Sequence, residues 1–166
     1  GHNDVFALEV HADGVRFLGE MGCAPYGASP GRAYDQSTAA HNCLAIDGLE
    51  QNPIANEWRW QGRLIPCVRR WIQEDTHDFF HGVHEGYYQW PAHMTLHARK
   101  VFFVKAAPAY WVVCDWLESN AANAYRAYFH GCVPGRLQGR TIRLGEKGGP
   151  ALAIQPPAGD AVQAAR

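Results

Sequence analysis

Apolar and polar residues partly alternate from Val5 to Val10 and again from Val15 to Glu20, and the two runs are separated by Asp13-Gly14. Alternation places successive side chains on opposite faces of a strand, and an Asp-Gly pair is a strong two-residue hairpin signal. A hairpin is therefore predicted at the start of the chain. A further strand over Cys43 to Ile46 runs into a second Asp-Gly, Asp47-Gly48. β-like runs follow at Leu64 to Ile72, Asp78 to Tyr88, Leu96 to Val104, Tyr110 to Leu117, Ala124 to His130 and Thr141 to Leu144, giving about nine strands. Two irregular stretches stand out: a Gly, Pro, Ala and Ser-rich loop from Gly22 to Ser37, and Glu50 to Gly62 with Trp58 and Trp60. Long loops of this kind often carry binding function. No stretch of a dozen residues has helical periodicity, and no internal repeat or linker is visible.

The 166 residues suit one domain over 1–166, long enough to bury a core without a covalent staple. With 17 Gly, 10 Pro and a 12% aromatic share, the composition is that of a turn-rich globular protein. The expected fold is all-β, an antiparallel two-sheet β-sandwich. A net charge of -1 gives no electrostatic case for nucleic acid or an anionic membrane. The longest apolar runs are far shorter than a membrane span of about 20 residues. The five cysteines, Cys23, Cys43, Cys67, Cys114 and Cys132, are odd in number and hold no CxxC pair, so free thiols are expected rather than a disulfide framework.

Nine histidines prompt the question of which could converge. His2 and Asp4 lie two apart in the first run, on one face. Glu20 closes the partner strand of the hairpin, which the turn returns toward His2 and Asp4. His41 opens the next strand and can bring a second imidazole to the same edge. Two His and a carboxylate, with a position left for water, are a common zinc ligand set. Blander readings stay open: His2 as a cloning remnant, Glu20 as an exposed strand end, His41 as a cap or core histidine.

Several motifs in order carry a family likeness: Gly1-His2-Asn3-Asp4, Phe6 to Glu9, Ala12-Asp13-Gly14, Gly22, Tyr26, Tyr34, and Ala39-Ala40-His41-Asn42 through Asp47-Gly48. Further on come His97-Ala98-Arg99 and Val112-Val113-Cys114-Asp115. Together they resemble the heparinase II and III-like polysaccharide lyases over about three quarters of the chain. The resemblance implies the C-terminal β-sheet part of an enzyme whose N-terminal part, outside this sequence, is an α/α toroid of helices. It implies cleavage of acidic polysaccharide, alginate or a glycosaminoglycan such as heparan sulfate, by β-elimination, in the periplasm or outside the cell. It also implies a structural zinc held by His2, Glu20 and His41, with Asp4 orienting an imidazole. Two departures matter: the family has Asp where Glu20 stands, and the cleft-facing His of its His-x-His-x-Asp strand would precede Gly1. Tyr26 and Tyr34 match aromatic positions facing the sugar, where a phenol can donate or stack. The isolated chain is expected to be inactive, since the resemblance assigns no catalytic group to it with certainty.

His97 and Arg99 share a strand face, where the guanidinium could clamp a uronate carboxylate in a bidentate pair. A structural salt bridge is the stronger reading of the same two residues. Scattered basic residues favour an unsulfated uronate over a sulfated one. The rival from another class is a non-catalytic carbohydrate-binding sandwich with Trp58, Trp60, Tyr87, Tyr88 and Trp90 as a stacking platform. A cupin-type metal enzyme fits less well, because its second His would fall where Asp4 stands.

Overall fold

The computed structural model describes residues 1–166 except Met21, Tyr26, Ala28, Glu57, Trp58, Arg63, Ala161, Val162 and 164–166. The first hairpin forms from β1 (Val10–Ala12) and β2 (Val15–Leu18), paired antiparallel. Asp13 and Gly14 both take positive φ, 50° and 75°, the backbone that a two-residue turn matching the strand twist requires. Residues 5–8 are not strand, and Phe6 itself has φ 64°.

Helix α1 (Pro30–Gln36) lies inside the stretch expected to be loop. Its signal is local: Ser29 caps the end by accepting from the Arg32 N–H at 3.1 Å, and Pro30 stands at the first position. Seven residues are too few for a periodicity test to detect. After β3 (Leu44–Ile46) come the short β4 (Ile54–Asn56) and β5 (Arg59–Trp60), both within the second irregular stretch.

The largest sheet is antiparallel and consecutive: β6 (Cys67–Gln73), β7 (His77–His84), β8 (Thr95–Val104) and β9 (Tyr110–Ser119). The run expected to reach Tyr88 stops at His84, and Gly86–Gln89 turns as a 3-10 helix. At that turn a Cβ on residue 86 would lie 2.2 Å from the Gln51 carbonyl, so only glycine lets the two backbones approach this closely. β10 (Tyr125–Ala127) pairs with β3, and β11 (Gly135–Gln138), β12 (Thr141–Leu144) and β13 (Leu152–Ile154) form a three-stranded sheet.

The fold is all-β and antiparallel, as expected. One layer is the continuous four-stranded sheet, and the strands facing it are divided into short ladders. Two small apolar clusters serve as core. Phe17, Leu18 and Leu144 join the first hairpin to the three-stranded sheet, while Leu44, Ile46 and Tyr87 join β3 to the turn after β7, with Leu117 of β9 against them. Tyr87 is wholly buried and its hydroxyl donates to the Leu44 carbonyl at 2.8 Å.

Between these clusters the interior is polar. Arg99 is 1% exposed, yet its guanidinium is satisfied. Nε and Nη2 donate to the two Asp115 oxygens at 2.7 and 2.8 Å, and Nη1 donates to the carbonyls of Phe6 and Asn42 at 2.8 and 3.0 Å. The Gly86 N–H reaches His84 Nδ1 at 3.2 Å, so His84 donates from Nε2 to His97 Nδ1 at 2.8 Å, and His97 donates from Nε2 to Asp115 at 2.7 Å. Each partner fixes the next tautomer. Burial alone would raise the Asp115 carboxyl, but hydrogen bonds from Arg99 and His97, with the guanidinium charge beside it, hold it well below the carboxylate range. Burial, then the neighbouring His97 and the Arg99 guanidinium, push His84 down to about 3.

Unfolded His84 takes up a proton below its ordinary 6.5 and the folded one does not until about 3, so unfolding binds the proton. Stability is therefore full above 6.5 and lost as pH falls, by up to about 1.4 kcal/mol per unit inside that window. Asp115 adds a loss below its ordinary 3.8, with the same sign. Thermal melts from pH 8 to pH 4 should show this fall, with a shallower slope in His84→Gln. Asp115→Ala should cost about 3–5 kcal/mol by leaving Arg99 buried without its counter-charge.

Candidate metal centre

Glu20 lies two residues past β2, where the Gly19 N–H donates to the His130 carbonyl at 3.3 Å. His41 follows the 3-10 turn Thr38–Ala40 and donates its N–H to the Thr38 carbonyl at 3.3 Å. His2 is drawn in from the other side, because the next residue, Asn3, donates its N–H to the Gln36 carbonyl at the end of α1 at 3.1 Å. Asn3 is 2% exposed, and its side chain donates to Glu50 at 3.0 Å and to the Asn52 carbonyl at 3.1 Å. Glu50 Oε2 also accepts from the Thr38 N–H and hydroxyl. Gln51 completes the anchorage with an amide that pairs like backbone, accepting from the Val5 N–H and donating to the Val5 carbonyl, both at 3.0 Å.

Two of the three anticipated metal ligands touch: His41 Nδ1 faces Glu20 Oε2 in a direct contact. His41 is 3% exposed and Glu20 30%. The other His41 nitrogen, Nε2, lies 3.0 Å from the Asp35 carbonyl, a pure acceptor, so Nε2 carries the hydrogen. In the neutral ring Nδ1 then turns a lone pair toward a carboxylate. Two acceptors face one another, which is favourable only with a proton or a cation between them. Glu20 Oε1 is buried with no hydrogen-bond partner among the described residues.

His2 completes the triad at a remove, its ring 5.2 Å from that of His41 and tilted by 37°. Arg32 holds it there: Nη1 donates to His2 Nε2 at 2.8 Å and to Cys23 Sγ at 2.7 Å, while Sγ is 3.8 Å from His2 Nε2. Burial, then His41 and Arg32, lower the His2 pKa, with Asp4 acting in the opposite sense. As the side chains stand, no three His, Cys, Asp or Glu among the described residues form a closed metal cage. The donor chemistry nevertheless fits a cation: a buried carboxylate oxygen with no partner among the described residues, and an imidazole lone pair aimed at the same carboxylate.

Other anticipated site residues are placed differently. Asp4 is exposed, and the part of orienting an imidazole falls for His41 to the Asp35 carbonyl. Tyr34, on α1, is 50% exposed at the same end of the molecule, whereas Tyr26 lies outside the described residues. His97 and Arg99 are 0% and 1% exposed. The bidentate clamp is made, but on Asp115, which leaves no guanidinium edge open to a uronate. The five-residue aromatic platform does not assemble. Tyr87 is core, Trp90 Nε1 donates to the Glu50 carbonyl at 2.9 Å, and Trp58 lies outside the described residues. Trp60 instead lines a cavity of about 280 Å³ together with His2, Asn52 and Leu64. Sequence reasoning missed Arg32 and Cys23, which carry no motif and reach His2 only through the placement of α1.

A family model described as heparinase II/III-like, C-terminal, matches residues 1–161. The chain belongs to the heparinase II/III-like C-terminal family. That family is part of polysaccharide lyases, which gives the chain an enzyme context. No curated protein and no solved structure matches it.

Glu50 sets how firmly His2 is held, since one oxygen accepts from both Asn3 and Thr38. Glu50→Ala leaves those buried donors unsatisfied and should cost about 1–3 kcal/mol. Amide exchange should speed up at Asn3 and Thr38 before it does in β8, and equal protection in both variants would show that the anchorage lies elsewhere.

Proposed function

We propose that this heparinase II/III-like chain is one wall of the cleft of a lyase that cleaves uronate-containing polysaccharide by β-elimination. The observation that carries the reading is the family match over residues 1–161, and the gathering of His2, Glu20 and His41 at one edge supports it. β-Elimination removes the C5 proton of a uronate and expels the oxygen on C4. It requires a group to neutralise the carboxylate, a base and an acid, because charge develops on an enolate-like centre. In this reading an α/α toroid of the same protein supplies the neutraliser and a catalytic Tyr, while the sheet wall positions the chain and offers Tyr34. The substrate is an unsulfated uronate such as alginate, in keeping with sparse basic residues, and the site of action is the periplasm or the medium.

His2, Glu20 and His41 would hold one zinc ion, which supplies when bound a fixed positive charge that ties three separate segments together. Glu20 would offer its unpartnered oxygen. His41 would offer Nδ1, already freed by the Asp35 carbonyl. His2 would exchange its Arg32 donor for the ion. Because an ion bound only to the folded state stabilises it by mass action, chelator should lower the melting temperature.

Elemental analysis of untagged protein should find zinc near one equivalent, and His41→Ala should lose it. An unchanged metal content in that variant removes the site. Activity is read by the absorbance of the new C4–C5 double bond on alginate, heparan sulfate and hyaluronan. The 166-residue chain is expected to show none and a protein that also carries the helical domain to show turnover, since members of a catalytic unit contribute non-additively. A two-domain protein inert on every uronate would turn the reading to a carbohydrate-binding module.

A further inference from the structure

The outward face of the four-stranded sheet carries charged and aromatic side chains that take no part in the metal edge. Cross-strand partners share a face, and residues two apart along a strand return to it. Arg99, Gly82 and Asp115 point inward in register. Their neighbours Arg70, His81, Lys100 and Cys114 therefore form a row on the opposite face, paired Arg70↔His81, His81↔Lys100 and Lys100↔Cys114.

Arg70 and Lys100 are exposed. Among the described residues neither has a carboxylate partner. On the outward register of these strands the one carboxylate is Glu118, four residues along β9 from Cys114. Strands lie about 4.8 Å apart, so Arg70 and Lys100 stand about 10 Å apart across the sheet with an imidazole between. Cationic side chains gathered in a cross-strand row repel, a cost that an anion laid over them removes. The row is flanked on both sides along the strands by exposed aromatics. Phe102, two residues past Lys100, is 37% exposed, and Trp116, two past Cys114, is 62% exposed.

We propose that this row is a second docking surface for acidic polysaccharide, on the sheet face turned away from the buried Arg99 network. Carboxylates spaced along the polymer would meet Arg70 and Lys100, the guanidinium in bidentate fashion, and the apolar faces of the sugar rings would lie on Trp116 and Phe102. A nucleic acid would find neither a net basic chain nor a wider basic field. The choice of a uronate polymer rests on the proposed lyase substrate, while the surface itself does not.

The test uses the 166-residue chain with oligomannuronate and an uncharged cello-oligosaccharide of equal length, by calorimetry at low and high salt. Binding to the uronate alone, weakened by salt, is expected. Arg70→Glu with Lys100→Glu should weaken it at least ten-fold at low salt and Trp116→Ala several-fold. Arg136→Glu with Arg140→Glu, an equal change of net charge on β11 and the turn after it, should leave it within two-fold. If the paired reversal does not fold, Arg70→Gln and Lys100→Gln singly should each weaken binding. Unchanged affinity in the Arg70 and Lys100 variants, equal binding of the neutral sugar, or no binding would overturn the proposal. So would a dimer by light scattering that Trp116→Ala abolishes without polymer binding, which would give the face to a second copy. A chain that binds through this row beside a two-domain protein that cleaves no uronate keeps the surface and removes the lyase reading. Cleavage with affinity indifferent to Arg70 and Lys100 does the reverse.

Discussion

A buried guanidinium must have all its donors met, and Arg99 meets them by reaching across the whole domain. Two go to Asp115 on the neighbouring strand, and one nitrogen serves the carbonyls of Phe6 and Asn42. Those carbonyls belong to the segment after His2 and to the residue after His41. The demand for satisfied charge in the interior thus fixes where the N-terminal segment and the start of β3 lie against the main sheet. The candidate metal residues inherit that placement. Removing water from a charge is costly enough that this contact is specific where an apolar one would be tolerant.

The same economy shapes the surroundings. Apolar clusters are small, and Asn42, Gln51, Asn3 and Glu50 do the joining that side-chain packing does elsewhere. Asn42 donates to the carbonyls of Leu8 and Gly19, the second of which is next to Glu20. Gln51 stands in for a strand beside Val5. A polar interior of this kind holds irregular segments in register where ladders are short. It also couples the fold to pH, because His84 and Asp115 take up their protons more readily when the chain is unfolded.

At the candidate centre the surrounding backbone sets the donor chemistry of the side chains. The Asp35 carbonyl selects the His41 tautomer, and the carboxylate opposite is left with an oxygen to spare. Arg32 occupies the acceptors of His2 and Cys23 with a positive group. A cation of the protein's own stands beside the place proposed for a bound one, and exchange between the two would link binding at the edge to the position of α1.

From sequence alone came what short-range physics decides. Asp13-Gly14 specified its turn because few residue pairs accept two successive positive φ values. The runs over 96–104 and 110–117 specified strands that appear as 95–104 and 110–119, and the motif order specified the family. The strand over 141–144 was likewise legible. The helix over 30–36 was not, because seven residues hold too little periodicity, although Ser29 and Pro30 mark its start. Nor could sequence decide whether His97 and Arg99 face substrate or core, since a strand's alternation says which residues share a face and not which face is covered. Long-range contacts settled that: Phe6 and Asn42, dozens of residues away, lie over them. Arg32 and Cys23 reached His2 for the same reason, through a closure of the chain whose free energy is spread over many buried groups and written in no single motif.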